Sequence, residues 1–126
     1  GKLLATMEPA LKDGEFVFAT IDGEAIPDGL HPIGTFREDE GLTVIISAAE
    51  AMDAGLASSK PMRLITLTVH SSLEAVGLTA AFTTELTRHG ISANVMAGYY
   101  HDHIFVGAAD AERAVAALRE LSARQG

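Results

Sequence analysis

From Met62 to the end of the chain the hydrophobic pattern switches between two periods, and that succession constrains the fold more than any other feature. "MRLITLTVH" (62–70) alternates: Ile65, Leu67 and Val69 share one face, and Leu64, Thr66, Thr68 and His70 the other, as in a strand with one apolar side. "SSLEAVGLTAAFTTELTRHG" follows, with Leu78, Phe82 and Leu86 at four-residue steps, the core stripe of a helix. Ser71 and Glu74 fit a capping box at its start, and Gly90 stands where a left-handed C-cap belongs. "SANVMAGYY" and "HIFVGA" read as two strands joined by a tight turn. Asp110 then caps a last helix that buries Ala111, Ala114, Val115, Leu118 and Leu121. Strand, helix, strand, strand, helix is a split βαβ plan, a ferredoxin-like α+β arrangement lacking its final strand. A bare sheet edge invites another strand, so completion from the N-terminal half or dimerisation is expected. "LTVIIS" (42–47), short, apolar and upstream, is the best candidate for the missing strand.

The N-terminal half is less regular. "KLLATMEPALK" spaces Leu3, Leu4, Met7 and Leu11 like one face of a short helix, limited by Pro9. "EFVFATI" reads as a strand bounded by Gly14 and Asp22-Gly23. "DGEAIPDGLHPIGTFREDEG" reads as a solvated loop with a short strand around residues 34–37. His31 is structural there, Arg37 pairs with neighbouring acids, and the oxygen spacing of a calcium loop is absent. "AAEAMDAGL" reads as a helix ending near Gly55, and "ASSKP" as a linker.

The chain has 17 acidic and 9 basic residues, a formal charge of −8. Such a surface repels phosphate backbones and anionic lipid, so nucleic acid and membranes are poor partners. With no cysteine there is no disulfide, thiolate nucleophile or cysteine metal site. That fits a reducing cytoplasm, and no apolar run is long enough to cross a bilayer or serve as a signal sequence. No phosphate loop or nucleophile elbow is present. His70 beside Ser71 makes no catalytic pair, because triads are defined in space rather than by adjacency. The reading is therefore not an enzyme: it assigns no catalytic residue, no metal ligand and no cofactor.

"GYYHDHIFV" (98–106) crowds two tyrosines, two histidines and an aspartate together. His101 and His103 have a two-residue ligand spacing, and His70 supplies a third imidazole for a metal-binding alternative. The turn between the strands falls near Tyr100–Asp102, which interrupts the alternation and favours polar hairpin residues over a metal site.

"LTVHSSLEAVGLTAAFTTELTRHGISANV" resembles the ACT-domain pattern: strand Leu67–Val69, a loop from His70 to Glu74, an early glycine at Gly77, the helix leucine Leu86, and the turn Gly90-Ile91-Ser92. "YYHDHIFV" resembles the second hairpin strand of the ACT variety found in the CASTOR arginine sensors. The whole chain is similar to bacterial two-part ACT proteins, with an N-terminal ACT-like half over residues 1–60 and a C-terminal ACT domain over 61–126, sharing a sheet or core. The resemblance implies a cytoplasmic, homodimeric regulatory or sensor protein that binds a small molecule, an amino acid by class, without catalysis. Its contacts would centre on His70, Ser71, Ser72, Leu73, Glu74, Val76 and Gly77, with Ser92, Asn94, Asp102 and His103 nearby. The helix start suits a carboxylate, Asp102 suits an ammonium, and Gly77 removes a side chain where something comes close. A ligand-free dimerisation or interaction domain is the other alternative.

Overall fold

The computed structural model describes residues 6–23, 25–68 and 77–125. They form two compact units. The smaller is residues 14–62; the larger joins residues 1–13 to residues 63–126.

In the smaller unit, β2 (Phe16–Ile21), β3 (Gly34–Glu38) and β4 (Gly41–Ser47) make an antiparallel sheet in the order β3-β4-β2. Odd positions of β2 and even positions of β4 point one way, so Val17, Ala19, Ile21, Leu42, Val44 and Ile46 close a core over Ala51 of α1 (Ala48–Ala54). Ser47 caps that helix reciprocally with Glu50, and Gly55 ends it in the left-handed region at φ 67°. The 22–33 connection is tied back to the unit: His31 N–H donates to the Glu50 carboxylate at 2.7 Å, and Ile33 N–H to Ile45 O at 2.8 Å. Residues 57–61 are more than a linker. Ser58 bridges Ala19, and Ser59 N–H donates to Phe18 O at 2.9 Å, continuing the pairing of β2.

The larger unit holds β1 (Glu8–Leu11), β5 (Met62–Thr68), α2 (Leu78–Arg88), β6 (Ala93–Ala97), β7 (Asp102–Gly107) and α3 (Ala111–Gln125). Met62, the first residue of β5, is counted with the smaller unit. Strands β5, β7 and β6 lie in that order, with β1 antiparallel to β5. This corrects two expectations. The strand that completes the ferredoxin-like plan is Glu8–Leu11, not "LTVIIS", which lies within β4 and pairs with β2 and β3. And the segment read as a short helix is extended. Met7 and Leu11 suit either period, but Pro9 between them also turns inward, and three alternate inward residues belong to a strand. Proline disfavours helical geometry at Glu8 and is tolerated at a sheet edge.

The core of this unit lies between one face of the sheet and the two helices. Met7, Ile65, Leu67, Ile104 and Val106 from the sheet meet Leu78, Phe82, Leu86, Ala114, Leu118 and Leu121 from α2 and α3. The helix stripes match the sequence periodicity. Asp110 sits in a 3-10 turn, Ala108–Asp110, leading into α3, and its carboxylate accepts from Arg113 at 2.9 Å. Among the described residues no helix is long and apolar enough to cross a membrane.

Candidate ligand-binding face

His70, Ser71, Ser72, Leu73, Glu74 and Val76, and with them the expected capping box, lie outside the described residues. Gly77 occupies the N-cap position of α2 with φ 85° and makes no side-chain cap. A Cβ there would meet nothing within 4 Å. The left-handed backbone there favours glycine.

Ser92 and Asp102 sit at opposite ends of the β6–β7 hairpin, which is registered from Ala93↔Val106 to Ala97↔Asp102. Four strand steps separate those ends, about 13 Å. Asn94 faces Phe105 across the ladder, and His103 faces Met96. Strand alternation then sorts the polar groups. Asp102 shares the parity of Ile104 and Val106, which face the helices. His103 and Phe105 point to the second face, joined by Asn94 and Met96 of β6 and by Thr66 of β5, whose neighbours Ile65 and Leu67 face the core. Lys12 follows inward-facing Leu11 and falls on the same second face, its N–H donating to Leu64 O at 2.9 Å. Asp102 and His103, expected near one another in a pocket, are thus presented to opposite sides of the sheet.

Thr66 is buried at 6% exposure, and its hydroxyl lies 3.1 Å from His103 Nδ1. The imidazole is half-buried. Burial holds it below its ordinary pKa, reinforced by the charges of His101 and Lys12 and opposed by Asp102. Burial also pushes Asp102 upward, against the pull of His103. Gly98 lies against the histidine edge: a Cβ there would stand 3.2 Å from His103 Nε2 and 3.0 Å from His101 O. The tip beyond it carries Tyr99 and Tyr100 in edge contact, ring centroids 4.9 Å apart, both largely exposed. His101 and His103 rings are 6.2 Å apart and nearly perpendicular. Among the described residues no group of three histidine or acidic side chains is placed to hold a metal ion.

Two groups were not singled out from the sequence. One is Thr66, recognisable only as a polar residue on the mixed side of its strand. The other is Glu85, buried at 3% exposure between α2 and α3. Its carboxylate accepts from Arg88 and Arg124, each at 2.8 Å, and faces His89 Nε2 at 3.2 Å. The Arg124 hydrogen bond, above all, holds Glu85 below the usual glutamate range despite burial. The signal was present in its position, seven residues after Leu78 and beside Leu86, on the stripe that faces the core. This node joins two helices and lies on the opposite side of the sheet from His103.

Two ACT-domain family models match the chain, one over residues 1–63 and the other over residues 59–120. No curated protein sequence matches it significantly. Among solved structures, a Vibrio cholerae protein of unknown function, described as a possible transport protein, is 58% identical with a TM-score of 0.88, over 95% of this chain and 93% of that one. The ligand-free regulatory subunit of aspartate kinase from Thermus thermophilus is 12% identical with a TM-score of 0.63, over 93% of this chain and 98% of that one. Aspartate kinase from Clostridium acetobutylicum, an allosteric enzyme, is 12% identical with a TM-score of 0.67, over 90% of this chain but 34% of that one. At such identity the last two share the fold alone.

Proposed function

The chain belongs to the ACT-domain family, and from that membership we propose that it is a regulatory protein that binds a small metabolite, an amino acid by class, without catalysing a reaction on it. The carrying observation is that two ACT-type matches run in tandem from residue 1 to residue 120. ACT domains are typically regulatory modules that bind amino acids. Regulation by such a module is linkage: a ligand that binds one arrangement of the protein more tightly shifts the population toward it. We place the protein in the cytoplasm as a homodimer, with the segment from His70 to Gly77, together with Ser92, Asn94, Asp102 and His103, as the region where contacts arise.

The test is a thermal-shift screen of the twenty amino acids, each at millimolar concentration, with light scattering to follow the oligomer. A ligand that binds only the folded state stabilises it by about 2.7 kcal/mol at one hundred times its dissociation constant. One or a few amino acids should raise the melting temperature in a concentration-dependent way. If none does, the sensor reading fails and a ligand-free interaction domain takes its place.

A further inference from the structure

We infer that Lys12, Thr66 and His103 form a carboxylate-binding subsite on the second face of the larger unit's sheet, taking the anionic end of a small ligand. The inference rests on the metabolite-binding reading above and moves the carboxylate contact away from the start of α2.

Three adjacent strands bring the groups together. β1, β5 and β7 lie side by side, two strand spacings or about 10 Å in total, and alternation turns Lys12, Thr66 and His103 to the same face. The floor is closed: Thr66 and Phe105 are almost fully buried, while His103 is half-exposed and Lys12 and Asn94 are exposed. The donors are positioned. Lys12 has its backbone anchored at both ends, its N–H on Leu64 O and its carbonyl accepting from Arg63 Nη2, each at 2.9 Å. The subsite takes the tautomer in which the Thr66 hydroxyl donates to Nδ1 and the ring proton of neutral His103 sits on Nε2 as a donor. Gly98 lies beside that nitrogen and places no side chain on it; a Cβ there would stand 3.2 Å away. The electrostatics agree. On a chain of net charge −8, Lys12 and His101 both lie close enough to oppose protonation of His103, and an anion bound among them relieves that opposition. Asp102, whose charge acts on His103, belongs to the other face. A carboxylate also fits better here than a metal ion, because a cation would meet Lys12.

The experiment is an NMR titration of the full chain at pH 6 with sodium acetate against sodium chloride at equal ionic strength, following the histidine ring and lysine signals. Acetate should shift His103 and Lys12 saturably, with a dissociation constant of roughly millimolar order for so small a ligand, while His31 and His89 serve as controls. Lys12→Gln and His103→Gln should each weaken binding at least fivefold. Thr66→Ser should retain it and Thr66→Val lose it. Shifts at His103 no larger than at His31 and His89, or an unchanged Lys12→Gln variant, overturn the inference; the first outcome needs no variant to fold. The two readings separate cleanly. An amino acid that stabilises parent and His103→Gln equally refutes this subsite and leaves the regulatory reading standing. Saturable acetate binding with no stabilising amino acid does the reverse.

Discussion

Replacing Arg124 by methionine and, separately, Glu85 by glutamine should destabilise the larger unit unequally, and the exposed residue should matter more than the buried one. Glu85 has a side chain only 4% exposed, whereas Arg124 and Arg88 are 41% and 63% exposed. The cations can return to water when the pair is broken; the carboxylate cannot. Deleting one partner of a fully buried pair costs about 3–5 kcal/mol. Here the deleted partner is partly solvated, and Arg88 and His89 remain on the carboxylate, so the cost of Arg124→Met falls to about 1.5–3 kcal/mol. Glu85→Gln keeps the shape and releases the arginines to solvent, for about 1 kcal/mol or less. For a chain of this size each kcal/mol moves the melting temperature by about 3–6 °C. The pH dependence follows from the lowered pKa of Glu85. A carboxylate depressed in the native state contributes stability that is present above its unfolded value and is lost as pH falls through the native one. The parent should therefore lose stability below about pH 4.3, and both variants should show less of that loss. Denaturant melts at pH 7 and pH 4 measure all of this. A Glu85→Gln cost equal to or above that of Arg124→Met at pH 7 would refute the asymmetry.

Gly41→Ala should cost about 2–4 kcal/mol in chemical denaturation, because the new Cβ would stand 2.7 Å from Ile21 O and 3.0 Å from Thr20 Oγ1 at φ 155°; a loss under about 0.5 kcal/mol would show that the strand end yields freely. His103→Gln should flatten the stability profile below about pH 6.5. The native state holds this imidazole neutral below its ordinary range, so the unfolded chain binds the extra proton and the parent weakens as pH falls. Thermal melts from pH 7.5 to pH 5 decide it, and parallel profiles for parent and variant would contradict the reasoning.

Most of the fold was legible because most of its elements are specified by local periodicity. Leu78, Phe82 and Leu86 define α2, alternation defines β5, and Gly90 and Gly55 stop their helices at the expected places. The resemblance on "LTVHSSLEAVGLTAAFTTELTRHGISANV" likewise led to the family that the matches over residues 1–63 and 59–120 establish. The failure at β1 has a definite cause. Residues 7 and 11 are four apart, a spacing that puts them on one side of a helix and equally on one side of a strand. Only Pro9, buried between them, breaks the degeneracy, and its proper weight depends on knowing that β5 offers a free edge. A four-residue strand carries too little pattern of its own; its partner, 54 to 60 residues away in sequence by the register Glu8↔Thr68 to Leu11↔Ile65, supplies the rest.

The candidate site shows the same division between local and distant information. Alternation alone sorts Thr66 from Ile65 and Leu67, and His103 from Ile104, so the face of each residue can be read along its own strand. Which strands are neighbours cannot. Thr66 and His103 are 37 residues apart, and their hydrogen bond exists because the β5–α2–β6–β7 path returns β7 to the side of β5. The reading of "GYYHDHIFV" suffered from this gap. Taken along the chain, Asp102 and His103 are a pair and His101 and His103 a ligand spacing. Taken across the sheet, Asp102 turns toward the helices, while His103 acquires Thr66 and Lys12, residues that no local motif connects to it. The change of partners alters the chemistry: a histidine beside a carboxylate is a candidate for a cation or a metal, whereas a histidine backed by a buried hydroxyl and flanked by a lysine is a donor for an anion. Gly98 matters for the same reason, since a Cβ at that position would stand 3.2 Å from His103 Nε2, the imidazole nitrogen that Thr66 does not contact.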